Sequence, residues 1–162
     1  MKATMKQLET DLKKLKETIN DLNYQYRTDE LQVEHNIYNA DELTKYYEYR
    51  RLFEKLLDIR DEINYLQSPI VAEGRLKKNE FGKYELNTKD YSQTFSCGCG
   101  IEYLVKFNEY DYEKEKDVEV SKWVASTIEH NGKDYYIVKN PKLKLNGLYV
   151  RVRYINDYYD WC

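Results

Sequence analysis

The chain has 162 residues, enough for one domain or two small ones, and carries a net charge of −3. Hydrophobic residues make up 41% of it, and 18 of these are tyrosines, which suit thin packed layers and contact surfaces that keep their hydroxyls wet. No apolar run is long enough to cross a membrane, the charged opening "MKATMKQLETDLKKLK" is no signal peptide, and the acidic balance argues against a general nucleic-acid coat.

From the amino terminus the period is helical. Met5, Leu8, Leu12, Leu15, Ile19, Leu22 and Tyr26 recur at alternating steps of three and four, a coiled-coil seam with little apolar beside it. Thr4 and Gln7 can form a capping box at its start. A second start signal lies in "NADE", with Asn39 as cap and Glu42 reaching back. The seam that follows runs through Tyr49, Leu52, Leu56, Ile59, Ile63 and Leu66, and a second row through Leu43, Tyr46, Phe53 and Leu57 widens the face. It should end at Ser68-Pro69, because the residue before a proline disfavours the helical region. The connection "RTDELQVEHNIY" is short enough to fold the second helix back on the first. Two helices alone cannot bury both faces of the second, which therefore has to meet the other half of the chain, a partner copy or a target.

All six glycines and both prolines fall after residue 68, a composition shift centred on "QSPIVAEG". Charge divides there as well: residues 1–68 hold 11 basic and 14 acidic side chains, the remainder 15 of each. Beyond the boundary the period becomes two. "VAEGRLKK" and "KYELN" flank "NEFG", a hairpin whose Gly82 can take a positive φ. "IEYLVKF" reads as a strand and is followed by an acidic, tyrosine-bearing loop, residues 108–119. "WVASTIEH", Asn131-Gly132 and "KDYYIV" form the clearest hairpin signal, and "GLYVRVRYI" is a final alternating strand. The fold class is therefore α+β. An N-terminal antiparallel helical hairpin, coiled-coil-like, over residues 1–68 precedes a small SH3-like, strongly bent antiparallel β-sheet or barrel over residues 69–162.

Chemistry-bearing residues are few. "TFSCGCGIEYLV" places Cys97 and Cys99 one residue apart, which permits half a metal site, a redox pair or a tight turn. A zinc site needs four ligands, and Cys97, Cys99, Cys162 and two histidines are all the chain offers. A redox pair is more usually spaced C-x-x-C. His130 closes a strand before a turn, where bonding to turn backbone is expected, and His35 lies in the polar helix connection. No nucleophile elbow, metalloprotease motif or phosphate-binding loop is present, so no catalytic residue, cofactor or metal is expected. Three cysteines, an odd number without an export signal, suggest a reducing cytoplasm.

The stretches "EGRLKKNEFGKYEL", "IEYLV", "IEH", "DYYIV" and "LNGLYVRVR" follow one another with Gly82, Trp123, Gly147, Arg151 and Arg153 in order. This pattern, over residues 73 to about 153, resembles a family of uncharacterised β-domains from Gram-positive bacteria, their phages and their conjugative elements, catalogued as a domain of unknown function. The resemblance brings no activity. It implies Ser-Gly where this chain has Cys97-Gly98-Cys99-Gly100, so that position calls for a small side chain, and it implies a shorter, less acidic segment than 108–119.

Two surface features stand out. Between Glu109 and Glu119 six carboxylates face two lysines, and the tail "NDYYDWC" adds aromatic side chains. A charge run is ordinarily a solvated face. Read functionally, Glu109, Tyr110, Asp111, Tyr112, Glu113 and Glu115, with Tyr158, Tyr159 and Trp161, form a partner-binding set suited to Lys/Arg-lined channels. The expected function is a non-enzymatic interaction protein of a phage or mobile element that inhibits a host defence nuclease, a CRISPR effector, by steric and electrostatic occlusion in the host cytoplasm. The alternative is a nucleic-acid-binding or conjugation or replication accessory protein. It would use Lys133, Lys144, Arg151 and Arg153, with stacking by Tyr135 or Tyr136 and without sequence-specific contacts, and would be a homodimer through residues 5–66. Arg151 and Arg153 can equally pair with acids of their own sheet.

Overall fold

The computed structural model describes residues 3–26 and 33–154. The chain divides into two compact units, Met1–Gln67 and Ser68–Cys162.

The first unit holds α1 (Met5–Tyr26) and α2 (Ala40–Gln67). Thr4 Oγ1 accepts the Gln7 N–H at 3.2 Å, while the Gln7 amide turns forward to Asp11 at 3.3 Å, so half of the expected capping box forms. Asn39 Oδ1 caps α2 by accepting the N–H groups of Asp41 and Glu42, both at 3.1 Å, and the Glu42 carboxylate takes the Asn36 N–H. The helices run antiparallel: Tyr26 meets Phe53 edge-on at 6.5 Å, and Lys16, earlier in α1, bonds Gln67 at the far end of α2 at 2.9 Å. Ile19, Phe53 and Ile63 are buried between them. Most of the expected α2 seam is not: Tyr49, Leu52, Ile59 and Leu66 are exposed, as are Met5, Leu8 and Leu15. One helix covers only one flank of a wide apolar stripe, and the flank covered is the one carrying Phe53.

The second unit contains β1 (Ile70–Arg75), β2 (Lys77–Lys78), β3 (Tyr84–Asn87), β4 (Ser92–Phe95), β5 (Gly100–Asp111), β6 (Lys116–His130), β7 (Tyr135–Ile137) and β8 (Tyr149–Arg153). They build a five-stranded sheet in the order β1-β8-β5-β6-β7 and a three-stranded sheet in the order β2-β3-β4, with every pair antiparallel. The chain passes from one sheet to the other at Leu76, which is fully buried and whose backbone bonds Leu148 and Gly147. The two sheets come close at Gly74, where a Cβ would stand 3.0 Å from Leu86 Cδ1. Leu76, Leu86, Phe95, Ile128, Ile137 and Val150 are wholly shielded from solvent in the shared core. The sheets stay open among the described strands, with β1 and β7 at the ends of the larger one, so the architecture is α+β with two packed antiparallel sheets, and these strands close no barrel.

Segment 108–119 differs from its expectation as a loop. Residues 108–111 and 116–119 continue β5 and β6 in register, ending at the pair Asp111↔Lys116, and only residues 112–115 turn the chain. Three contacts extend the ribbon: the cross-strand pair Phe107↔Val120, the Lys106–Glu119 ion pair at 2.7 Å, and the Asp111 carboxylate, which accepts the N–H groups of Glu113 and Lys114. Charges alternating with apolar residues resemble loop composition, yet they satisfy a two-faced strand.

Candidate functional site

The β5–β6 ribbon is anchored at its base, where Ile101, Tyr103 and Ile128 enter the core. Its far half leaves that core. β8 pairs β5 only at Glu102 and Tyr103, and β7 pairs β6 only at Ile128–His130. Farther out, neither edge of the ribbon has a strand neighbour among the described residues, and it projects as an arm.

The arm carries most of the expected partner-binding set. Tyr110 and Tyr112 are 47% and 87% exposed and meet edge to face at 5.1 Å. Glu109, Glu113 and Glu115 are exposed beside them. Asp111 has a different role. Its carboxylate holds the turn and pairs with Lys114 at 2.9 Å, and those bonds keep its pKa below the ordinary aspartate value. Glu115 sits at φ 51°, the left-handed conformation this turn requires. Tyr158, Tyr159 and Trp161 of the expected set, and Cys162, lie outside the described residues.

Arg151 and Arg153 stand on the outer face of the larger sheet, where Arg151 opposes both Glu73 and Glu102. Cross-strand partners share a face, and Glu102 points away from the face that Ile101 and Tyr103 bury. Both arginines bind Glu102 through Nε: Arg151 at Oε2, and Arg153 at Oε1 at 2.9 Å. Arg153 also donates to the Ser68 carbonyl at 2.8 Å. Glu102 is only 3% exposed. Burial pushes its carboxyl pKa up, but the hydrogen bonds and charges of Arg153 and Arg151 outweigh it and hold the group below the usual glutamate value. The Arg151 guanidinium lies over Trp123 at 4.4 Å, Trp123 neighbours Tyr149 at 6.0 Å, and Arg75 lies over Tyr149 at 5.6 Å.

Lys144 belongs to another surface. With Tyr84, Asp134, Tyr135, Leu143, Leu145 and Asn146 it lines a shallow concavity of about 410 Å³. Asp134 ties that region together, pairing with Lys78 at 2.8 Å and accepting the Tyr84 hydroxyl at 3.4 Å. The Lys78 bond holds its carboxyl below the ordinary aspartate value, and burial pushes the Tyr84 phenol up. Lys133 lies in the adjacent turn, its N–H bonded to Asn131 Oδ1, and Tyr136 is opposite Glu129 on β7. The four basic residues of the alternative reading therefore do not converge on one site. Glu102, Trp123, Tyr149, Lys78, Tyr84 and Asp134 were not anticipated, because their association depends on strand register and not on local pattern.

The segment that holds Cys97 and Cys99 forms a turn. Cys99 N–H bonds the Ser96 carbonyl at 3.2 Å, Gly98 takes φ 87°, and the segment pairs with Ile128 on both sides. Cys97 is a free, exposed thiol, whereas Cys99 is fully buried and disulfide-bonded, with its Sγ also accepting the Ser96 N–H, so the two sulfurs do not converge on one ion. His130 Nδ1 accepts the Gly132 N–H at 3.1 Å, tying the strand end to turn backbone, and His35 stacks on Tyr46 at 3.8 Å.

Residues 74–152 match a family model described as a domain of unknown function (DUF5348). No curated protein and no solved structure matches the chain.

Proposed function

We propose that the chain is a non-enzymatic interaction protein of a phage or mobile element that inhibits a host defence nuclease in the manner of anti-CRISPR proteins. One observation carries this reading: the β5–β6 ribbon outruns its core and ends in exposed Tyr110 and Tyr112 among six carboxylates. A nuclease channel that holds nucleic acid is lined by Lys and Arg. An acidic arm is steered towards such a surface, and the tyrosines then supply desolvated contact area. Occlusion needs no chemistry from the arm, only its length and charge. The target named by this logic is a CRISPR effector in the host cytoplasm, met at its guide- or target-binding surface.

Affinity capture of purified effector, with and without bound guide RNA, tests the reading. Wild type should capture the guide-free effector, and Tyr112→Ala with Glu113→Lys should lose it while keeping the fold. Equal capture by the variant would remove the arm from the mechanism.

A second reading, an accessory protein of conjugation or replication dimerised by its helices, is favoured by the exposed row Tyr49, Leu52, Ile59 and Leu66 on α2. Sedimentation would decide it: a wild-type dimer that Leu52→Lys dissociates supports it, and a monomer at every concentration dismisses it.

A further inference from the structure

We infer that the outer face of the five-stranded sheet is a stacking platform for single-stranded nucleic acid, a site separate from the acidic arm. The row Arg75–Tyr149–Trp123–Arg151 sets two neighbouring aromatic rings between two guanidiniums across β1, β8 and β6, with successive separations of 5.6, 6.0 and 4.4 Å. Trp123 and Tyr149 are half-buried, neither closed off in the core nor fully exposed. Their rings are tilted by 36° and not interleaved, so the row is not a closed aromatic stack.

Glu102 preorganises this row. Buried beside the guanidiniums, it binds Arg151 through Nε alone, which holds that guanidinium over the Trp123 ring, 4.4 Å from its centroid. The two terminal nitrogens of Arg151 have no partner among the described residues, and Arg75 uses only Nη1, on the Gly147 carbonyl at 2.8 Å. Two guanidiniums with unused N–H donors thus flank two partly exposed rings. Base faces stack on aromatic and guanidinium planes, and phosphates take paired N–H donors. That combination fits a single strand better than an acidic peptide, which has no use for the rings between the cations. A duplex presents its base faces to neighbouring bases and cannot stack here.

The charge of the face sets the expected strength. Arg75, Arg151 and Arg153 against Glu73 and Glu102 leave one excess positive charge, so binding is weak, sequence-tolerant and strongly weakened by salt.

Fluorescence anisotropy of short labelled oligo-dT and oligo-U with the full chain at low salt is the test, with a duplex and a poly-glutamate peptide as comparison probes. Saturable binding of the single strands and neither comparison probe is the expected result. Trp123→Ala should weaken it about tenfold. Trp123→Phe should keep most of it, and Arg75→Ala should lower the salt slope by about one. Should Trp123→Ala fail to fold, the Phe and Arg75 variants carry the decision. Tyr112→Ala should leave oligonucleotide binding unchanged, which keeps this site distinct from the arm. No binding of single strands at low salt, equal binding of duplex, preference for the acidic peptide, or wild-type affinity in folded Trp123→Ala and Arg75→Ala would each overturn it.

Discussion

Replacing Glu102 by Gln keeps its shape and removes its charge, leaving Arg151 and Arg153 without their shared counter-ion. Glu102 is 4% exposed at its side chain, Arg151 15% and Arg153 12%, so water compensates little. Removing one member of a buried ion pair costs about 3 to 5 kcal/mol, and the residual hydration of the arginines places this case at the lower end, about 3 kcal/mol. For a unit of this size that corresponds to a fall in melting temperature of about 12 to 24 °C. Calorimetry of wild type and Glu102→Gln at neutral pH reads it directly. Glu73→Gln, which loses only a partner of the exposed Tyr149 hydroxyl, should shift the transition far less. The pH dependence supplies a second constraint. The folded pKa of Glu102 lies below its unfolded value, so its stabilisation is complete above the ordinary glutamate pKa, about 4.3, and is lost as pH falls through the folded value. The gap between the two melting temperatures should therefore be full at pH 7 and close progressively below about pH 4. A neutral-pH shift under about 3 °C, or a gap that persists in acid, would refute the triad as a main support of the sheet.

Phe95→Ala empties a fully buried site where the two sheets meet and should cost about 3 to 5 kcal/mol, measured by urea unfolding; a loss under about 1 kcal/mol would contradict the packing. Gly74→Ala drives a Cβ to 3.0 Å from Leu86 Cδ1 and should destabilise by about 1 to 3 kcal/mol in the same assay. Cys97→Ser should leave stability within about 0.5 kcal/mol, and a thiol reagent applied to the native protein should modify Cys97, because that side chain faces water from a turn.

Local signals anticipated much of this architecture. The cap at Asn39 and the glycines at Gly82 and Gly132, with φ 78° and 88°, lie where helix starts and hairpin turns were expected. Each is decided within a few residues by backbone sterics or a side-chain acceptor. What escaped was register and neighbourhood. Glu102 reads only as the outward residue of an alternating strand until β8 places Arg151 opposite it, 49 positions later. Lys78 and Asp134, 56 positions apart, give no sign of each other. In α2 the stripe was evident but its covered flank was not, since that depends on the angle at which α1 lies. The 108–119 segment departs from its loop expectation for a different reason. Strand pairing tolerates charge on its faces when diagonal cross-strand neighbours such as Lys106 and Glu119 neutralise each other, so polarity alone does not mark a loop.

The central claim is that the arm carries the function, and inhibition of a purified CRISPR effector nuclease at two ionic strengths tests it most directly. Wild type should inhibit cleavage, more strongly at low salt, and Tyr112→Ala with Glu113→Lys should abolish inhibition while melting like wild type. Cleavage blocked equally by that folded variant, or unaffected by either protein at low salt, would contradict the account.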